Sequence, residues 1–166
     1  MRVNRRVAFL DRDDTLIFDS GYMNSESKIE FMPGVIQGLS KLAQSDIDLI
    51  IVSNQSGVPR GFITIDDVYA IESKMLFILE AYGVTFKKSY YCFHSPSGEC
   101  DCRKPKSGLI LKAIDDFKYL PENCSMFGDK EIDVLASEGA GVRGFLVKKG
   151  EFLNSINLWL DAEVEK

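Results

Sequence analysis

Val7-Ala8-Phe9-Leu10-Asp11-Arg12-Asp13-Asp14-Thr15 decides the fold: four apolar residues end abruptly in three acids and an arginine. An apolar run this short, bounded by polar residues, has the length of a buried strand rather than a helix. The same event recurs along the chain. Leu49-Ile50-Ile51-Val52 ends in Ser53-Asn54-Gln55-Ser56-Gly57, residues 89–93 end against His94, and Ser125-Met126-Phe127 ends in Gly128-Asp129-Lys130. Residues 144–147 form a fifth such stretch. Between them the apolar spacing turns helical. Residues 34–45 carry Val35, Ile36, Leu39 and Leu42 on one face. Thr64 is placed to cap a helix over 65–82, with Asp66 and Asp67 in its first turn. Further helices are predicted over 107–117, 130–138 and 151–162, the last packing Phe152, Ile156, Leu158 and Leu160. Residues 11–33 read as a long loop. Alternating strands and helices predict an α/β fold with a mostly parallel sheet. Ligands of such sheets bind beyond the carboxyl ends of the strands. The residues to test are therefore Asp11 and Asp13, Ser53 and Asn54, Cys92 and His94, and Asp129.

The 166 residues amount to about one domain on a prior of about 150 residues each. With 45% hydrophobic and 27% charged residues the composition is that of an ordinary globular protein. The formal charge of −5 argues against a nucleic-acid partner, which calls for a basic face. An anionic ligand then needs local cations or a metal, because the average field repels it. No apolar run approaches the roughly 18 residues of a membrane span. The basic start, Met1 to Arg6, leads into an apolar run that stops at Asp11-Arg12-Asp13-Asp14, unlike a signal peptide. The expectation is a cytoplasmic protein with no membrane partner.

Three of the four cysteines, Cys92, Cys100 and Cys102, fall within eleven residues together with His94, the one histidine. Three thiols and an imidazole make a closed tetrahedral zinc site, structural in character. Free thiols are the alternative, as is a Cys100–Cys102 disulfide, which so short a spacing would strain. Cys124 stands apart and reads as a small buried hydrophobe. Arg103-Lys104-Pro105-Lys106 follows directly, either as a solvated basic patch or as cations that the zinc loop aims at an anion. Asp11-x-Asp13 alone is a common turn. With Asp129 it becomes a set of carboxylates at one sheet edge, which a hard cation such as Mg²⁺ would neutralise. Ser53 to Gly57 can cradle phosphate oxygens or form an ordinary turn. The Gly-x-Gly-x-x-Gly run at 139–144 follows a helix and precedes a strand, the reverse of a dinucleotide site. Asp11-x-Asp13 does not open a calcium loop, because Leu16 stands where that loop needs glycine.

Asp11-x-Asp13-x-Thr15, Ser53, Lys104 and Gly128-Asp129-x-x-x-Asp133 together resemble the four signatures of the haloacid dehalogenase phosphatases, in order and on the predicted strand ends, from about Val7 to Val147. Asp19-Ser20-Gly21-Tyr22, Phe31-x-Pro33-Gly34-Val35, Ser53 to Gly57, Arg60-Gly61 and Cys102 to Lys106 resemble the heptose 1,7-bisphosphate phosphatases of that superfamily. Histidinol-phosphate phosphatases share the zinc loop and the Cys-Arg-Lys-Pro run. The resemblance implies one domain over 1–166, a Rossmann-like three-layer sandwich with a central parallel sheet, a zinc loop at 92–105 and no large cap. It implies Asp11 as nucleophile, Asp13 as general acid and base, and Mg²⁺ held by the Asp11 side chain, the Asp13 carbonyl and Asp129. Ser53, Asn54 and Lys104 would hold the transferring phosphoryl group. Asp19, Gly21, Tyr22, Gln55, Ser56, Arg60, Arg103 and Lys130 would meet the rest of the substrate, and Asp133 would orient Lys104 or the metal shell. The implied zinc ligands are Cys92, His94, Cys100 and Cys102. The implied reaction removes the 7-phosphate of a heptose bisphosphate through an aspartyl-phosphate, by a monomer serving lipopolysaccharide or another surface glycan. Histidinol phosphate or another small phosphoester is the alternative substrate, and a catalytically silent, zinc-stapled binding module the alternative class. The family carries glycine where this chain has Asp14. A left-handed backbone there would strain Asp14, and its charge would sit near the phosphate.

Overall fold

The computed structural model describes residues 3–19 and 21–164. Met1 and Arg2 of the basic start, and Ser20 of the Asp19–Tyr22 run, lie outside the described residues. In chain order the elements are β1 (Val7–Leu10), α1 (Val35–Gln44), β2 (Asp48–Asn54), α2 (Ile65–Glu80), β3 (Lys88–Cys92), α3 (Gly108–Phe117), β4 (Cys124–Gly128), α4 (Glu131–Glu138), β5 (Arg143–Leu146) and α5 (Phe152–Val164). The strands form one parallel sheet in the order β3-β2-β1-β4-β5. This is the Rossmann-like α/β architecture expected from the sequence.

β1 is buried on both faces, and so its apolar run is continuous rather than alternating. Ala8 and Leu10 pack with Leu39 and Leu42 of α1, Ile71 and Met75 of α2, and Phe152 and Ile156 of α5. Val7 and Phe9 face the other way, onto Leu109 and Ile110 of α3 and Ala136 of α4. α1 and α5 approach closely at Gly38, where a Cβ would meet the Phe152 ring at 2.8 Å.

β1 sits between β2 and β4, with Leu10 in register with both Ile51 and Phe127. The chain leaves β1 toward β2 on one side and returns to β4 on the other. That reversal opens a crevice at the carboxyl ends of β1 and β4. Asp11 enters it with its N–H donating to the Phe127 carbonyl at 3.0 Å.

Thr64 caps α2 as expected. Its hydroxyl accepts from the Asp67 N–H at 3.1 Å while Asp67 Oδ2 accepts from the Thr64 N–H at 2.7 Å. Two expectations need correction. Ser53 and Asn54 are the last residues of β2 rather than the turn beyond it, because their backbone stays paired with Tyr91 and Cys92 of β3. In α5 the inward residues are Phe152, Ile156 and Trp159, while Leu158 is 61% exposed. The helical stripe runs three residues on from Ile156, not two. The 11–33 loop carries its own anchors: Leu16, Ile17, Met23 and Met32 are buried, and Ile17 bridges to Asp13 and Phe31. Among the described residues no helix is long and apolar enough to cross a membrane.

Candidate active site

The crevice opens into a cavity of about 390 Å³. Asp11, Asp13, Ser53, Lys104 and Lys130 line it, as do Asp19, Gly21, Tyr22, Asn54, Gln55, Ser56 and Arg60. Arg103 does not line it, although the sequence suggests it would. Arg103 Nη1 is buried and has no hydrogen-bond partner among the described residues.

Lys104 forms the floor. Its ammonium is 2% exposed and donates to Asp11 Oδ1 at 2.8 Å, to Asp133 Oδ1 at 2.5 Å and to the Val52 carbonyl at 2.8 Å. Burial alone would lower its proton affinity, but Asp11 and Asp133 outweigh that and hold it above the ordinary value. Asp133 also accepts from the Lys130 N–H at 3.1 Å, which fixes the start of α4. Gly128 makes room for this carboxylate: a Cβ there would lie 2.3 Å from Asp133 Oδ2.

Asp11, Asp129 and Asp133 bring one carboxylate oxygen each to within 4.8 Å of one another. Burial, next to the Asp11 charge, pushes Asp129 up to about 6. Thr15 Oγ1 donates to Asp129 Oδ1 at 3.2 Å and aims it. Three carboxylates near two lysines, Lys104 and Lys130, are short of positive charge, and all the donors are oxygen. That set fits Mg²⁺, held by Asp11 and Asp129.

Asp13 is held from two sides. Arg12 Nε donates to Oδ1 at 3.0 Å, and Arg12 Nη2 and Gln55 Nε2 donate to Oδ2 at 3.1 and 2.7 Å. Gln55 Nε2 also donates to Ser53 Oγ at 3.0 Å, and Gln55 Oε1 accepts from Arg12 at 3.2 Å. The Gln55 amide lines the cavity but is committed to Asp13 and Ser53. Asn54 is committed likewise, to the Lys104 main chain. Sequence reasoning missed Arg12. Its one signal is an arginine between two acids at a strand end, which also describes a solvated turn.

Asp14 has φ 60°, the left-handed conformation that a glycine would take without strain. Its Oδ1 accepts from the Asp19 N–H at 3.0 Å, so the side chain turns back onto its own loop. Tyr22 stacks on Phe62 at the cavity mouth, ring centroids 4.9 Å apart, and its hydroxyl accepts from Arg60 Nη1 at 2.6 Å.

Cys92, His94, Cys100 and Cys102 converge beside the floor, all four ligand atoms within 4.8 Å. Cys92 Sγ lies 3.9 Å from Cys100 Sγ and 3.5 Å from His94 Nδ1. A tetrahedral zinc has S···S edges of about 3.8 Å and S···N edges of about 3.5 Å, given Zn–S near 2.3 Å and Zn–N near 2.05 Å. His94 Nδ1 lies 3.1 Å from Cys102 Sγ, an edge that zinc would lengthen by about 0.4 Å; the donor set fits zinc, with Nδ1 as the imidazole ligand. Cys124 is elsewhere, its Sγ against the Leu120 carbonyl at 3.3 Å and its thiol pushed up to about 12 by burial.

Residues 6–133 match the family model described as polynucleotide kinase 3 phosphatase. The chain is 38% identical over 161 residues to a D-glycero-beta-D-manno-heptose-1,7-bisphosphate 7-phosphatase of Haemophilus ducreyi, covering 92% of this chain and 88% of that protein. It is 36% identical over 141 residues to the enzyme of the same name from Escherichia coli K12, covering 81% and 74%. Among solved structures, a D,D-heptose 1,7-bisphosphate phosphatase of B. bronchiseptica, complexed with magnesium and phosphate, superposes with a TM-score of 0.82. It is 28% identical, and the match covers 92% of this chain and 86% of that one.

Proposed function

The chain belongs to the polynucleotide kinase 3 phosphatase family of haloacid dehalogenase-like enzymes, and on that premise we propose that it removes the 7-phosphate of D-glycero-D-manno-heptose 1,7-bisphosphate with Mg²⁺. The observation that carries the proposal is the buried Lys104 ammonium shared by Asp11 and Asp133, with Asp129 beside them, at the crevice between β1 and β4. That floor offers a nucleophilic carboxylate, a fixed cation and a set of oxygen ligands within a few ångströms.

Asp11 attacks the phosphorus and becomes an aspartyl-phosphate. Asp13 gives a proton to the departing sugar oxygen, then takes one from the water that hydrolyses the intermediate. Lys104 and the Ser53 hydroxyl hold the transferring phosphoryl oxygens, and Asp133 holds Lys104 in place. When bound by Asp11, the Asp13 carbonyl and Asp129, Mg²⁺ neutralises the carboxylates against the incoming phosphate. Asp19, Gly21, Tyr22, Ser56, Arg60 and Lys130 surround the rest of the substrate. The zinc loop is a structural staple whose last ligand, Cys102, precedes Lys104 by two residues. The working unit is a single domain over 1–166, a monomer of the cytoplasm, where thiols stay reduced. It supplies a precursor of nucleotide-linked heptose.

The test is phosphate release from heptose 1,7-bisphosphate with Mg²⁺, for the wild type beside Asp11→Asn. Release that the substitution abolishes supports both the reaction and the nucleophile. Release from histidinol phosphate alone would keep the chemistry and replace the substrate. Silence on both would leave a zinc-stapled binding module.

A further inference from the structure

We propose that Arg12 is a positioning residue for Asp13, and that the Tyr91 ring on β3 backs Arg12 in turn. The proposal rests on the phosphatase reading above and adds two residues that reading does not use. The Arg12 side chain is 2% exposed at the edge of an open polar cavity. An arginine is almost never buried without a partner. Here the guanidinium presents Nε and Nη2 as a fork to both Asp13 oxygens, at 3.0 and 3.1 Å, while Gln55 clamps Oδ2. Two parallel donors fix the plane of a carboxylate as well as its distance. Asp13 is therefore set by its neighbours rather than free to rotate.

The wall behind Arg12 is polar as well. Its guanidinium lies 5.8 Å from the centre of the Tyr91 ring. Arg12 Nη1, Tyr91 Oη and Glu72 Oε2 are all buried and have no hydrogen-bond partner among the described residues. Glu72 Oε1 accepts from Ser89 Oγ at 2.5 Å. The aromatic ring closes the space behind the guanidinium and keeps the fork turned towards Asp13.

Orientation matters where the proton is needed. In the first step a bond forms between an Asp11 oxygen and phosphorus. The bond from phosphorus to the leaving oxygen breaks, and its electron pair takes a proton from Asp13, which must first bind it from solvent because its two oxygens here only accept N–H donors. A sugar alkoxide cannot leave without that proton, whereas nitrophenolate can. Misplacing Asp13 therefore slows the first class of substrate and spares the second.

The experiment compares kcat/KM for heptose 1,7-bisphosphate and para-nitrophenyl phosphate, both with Mg²⁺, in the wild type, Arg12→Lys and Tyr91→Leu. This ratio covers only the steps through departure of the leaving group, so the later work of Asp13 on water does not enter. Arg12→Lys is expected to lower the sugar value about 100-fold and the aryl value less than about threefold. Tyr91→Leu, which removes the ring behind the guanidinium, is expected to move the sugar value about fivefold in the same direction with the aryl value moving less than about twofold. Equal losses on both substrates, or unaltered sugar turnover, would overturn the proposal. Should Arg12→Lys fail to fold, Tyr91→Leu decides by the same ratio. A wild type inactive on both substrates would overturn the phosphatase reading itself.

Discussion

The Asn54 side chain and the Lys104 main chain hold each other at both ends: Asn54 Nδ2 donates to the Lys104 carbonyl and the Lys104 N–H donates to Asn54 Oδ1, each at 3.0 Å. A residue at the end of β2 thus fixes the backbone from which the buried ammonium reaches Asp11. Asn54→Ala should cost about 1–2 kcal/mol of stability for two lost hydrogen bonds. It should lower kcat at least about tenfold, because Lys104 loses its aim. Thermal unfolding and steady-state kinetics on the same samples check both. Unchanged kcat would mean that Lys104 holds its place through Asp11, Asp133 and the Val52 carbonyl alone.

Gly128→Ala probes the floor from below. The added methyl would sit 2.3 Å from the Asp133 carboxylate, which must then release Lys104, the Lys130 N–H or both. A stability loss of about 2–3 kcal/mol is expected from overpacking. Phosphate release should fall further than the unfolded fraction explains, and the two are separated by assaying well below the unfolding temperature.

A second network lies at the opposite edge of the sheet. Asp48 accepts from Arg5 Nε at 2.7 Å, Lys87 Nζ at 3.0 Å and the Tyr119 hydroxyl at 2.6 Å. Burial alone would raise its proton affinity, but hydrogen bonds from Tyr119, Lys87 and Arg5 outweigh it and hold Asp48 below the ordinary carboxylate value. The folded state therefore binds this proton less readily than the unfolded chain. The stabilisation is complete above the unfolded value of about 4 and disappears as pH falls through the lower folded value. Asp48→Asn should cost about 2 kcal/mol at pH 7. The gap between wild type and variant should close as denaturation is followed from pH 5 towards pH 2. A gap independent of pH would exclude the charge as its source.

Zinc removal should act on both stability and catalysis. Protein purified without added metal should carry about one zinc per chain. A strong chelator should lower the unfolding temperature and phosphate release together, since Lys104 follows Cys102 by two residues. With Mg²⁺ in excess over the chelator in every assay, added zinc, and not further Mg²⁺, should restore both. Cys92→Ser with full zinc content would refute the assigned ligands.

Much of this protein was legible in its residues. Short apolar runs that end in Asp, Ser or Gly define strands and their exits, because burial on two faces and a polar sheet edge are local demands on sequence. The strand-end rule therefore led to Asp11, Asp13, Ser53 and Asp129, and the tight spacing of Cys92, His94, Cys100 and Cys102 to the metal loop. The pairings within the site were not legible. Gln55 looks like a loop amide facing substrate, yet its amide is committed to Asp13 and Ser53. Arg103 and Lys104 are adjacent cations in sequence, and only the second enters the cavity. Arg12 could have been a solvated turn residue until β3 and Tyr91 closed behind it. Which nitrogen of His94 faces the thiols has no sequence signal at all. Which residues stand at the sheet edge follows from periodicity along a few neighbouring positions, and so it can be read locally. Which of them touch cannot, since Asp11 and Lys104, or Asn54 and Lys104, meet across 93 and 50 residues through strand order and register that no local pattern contains.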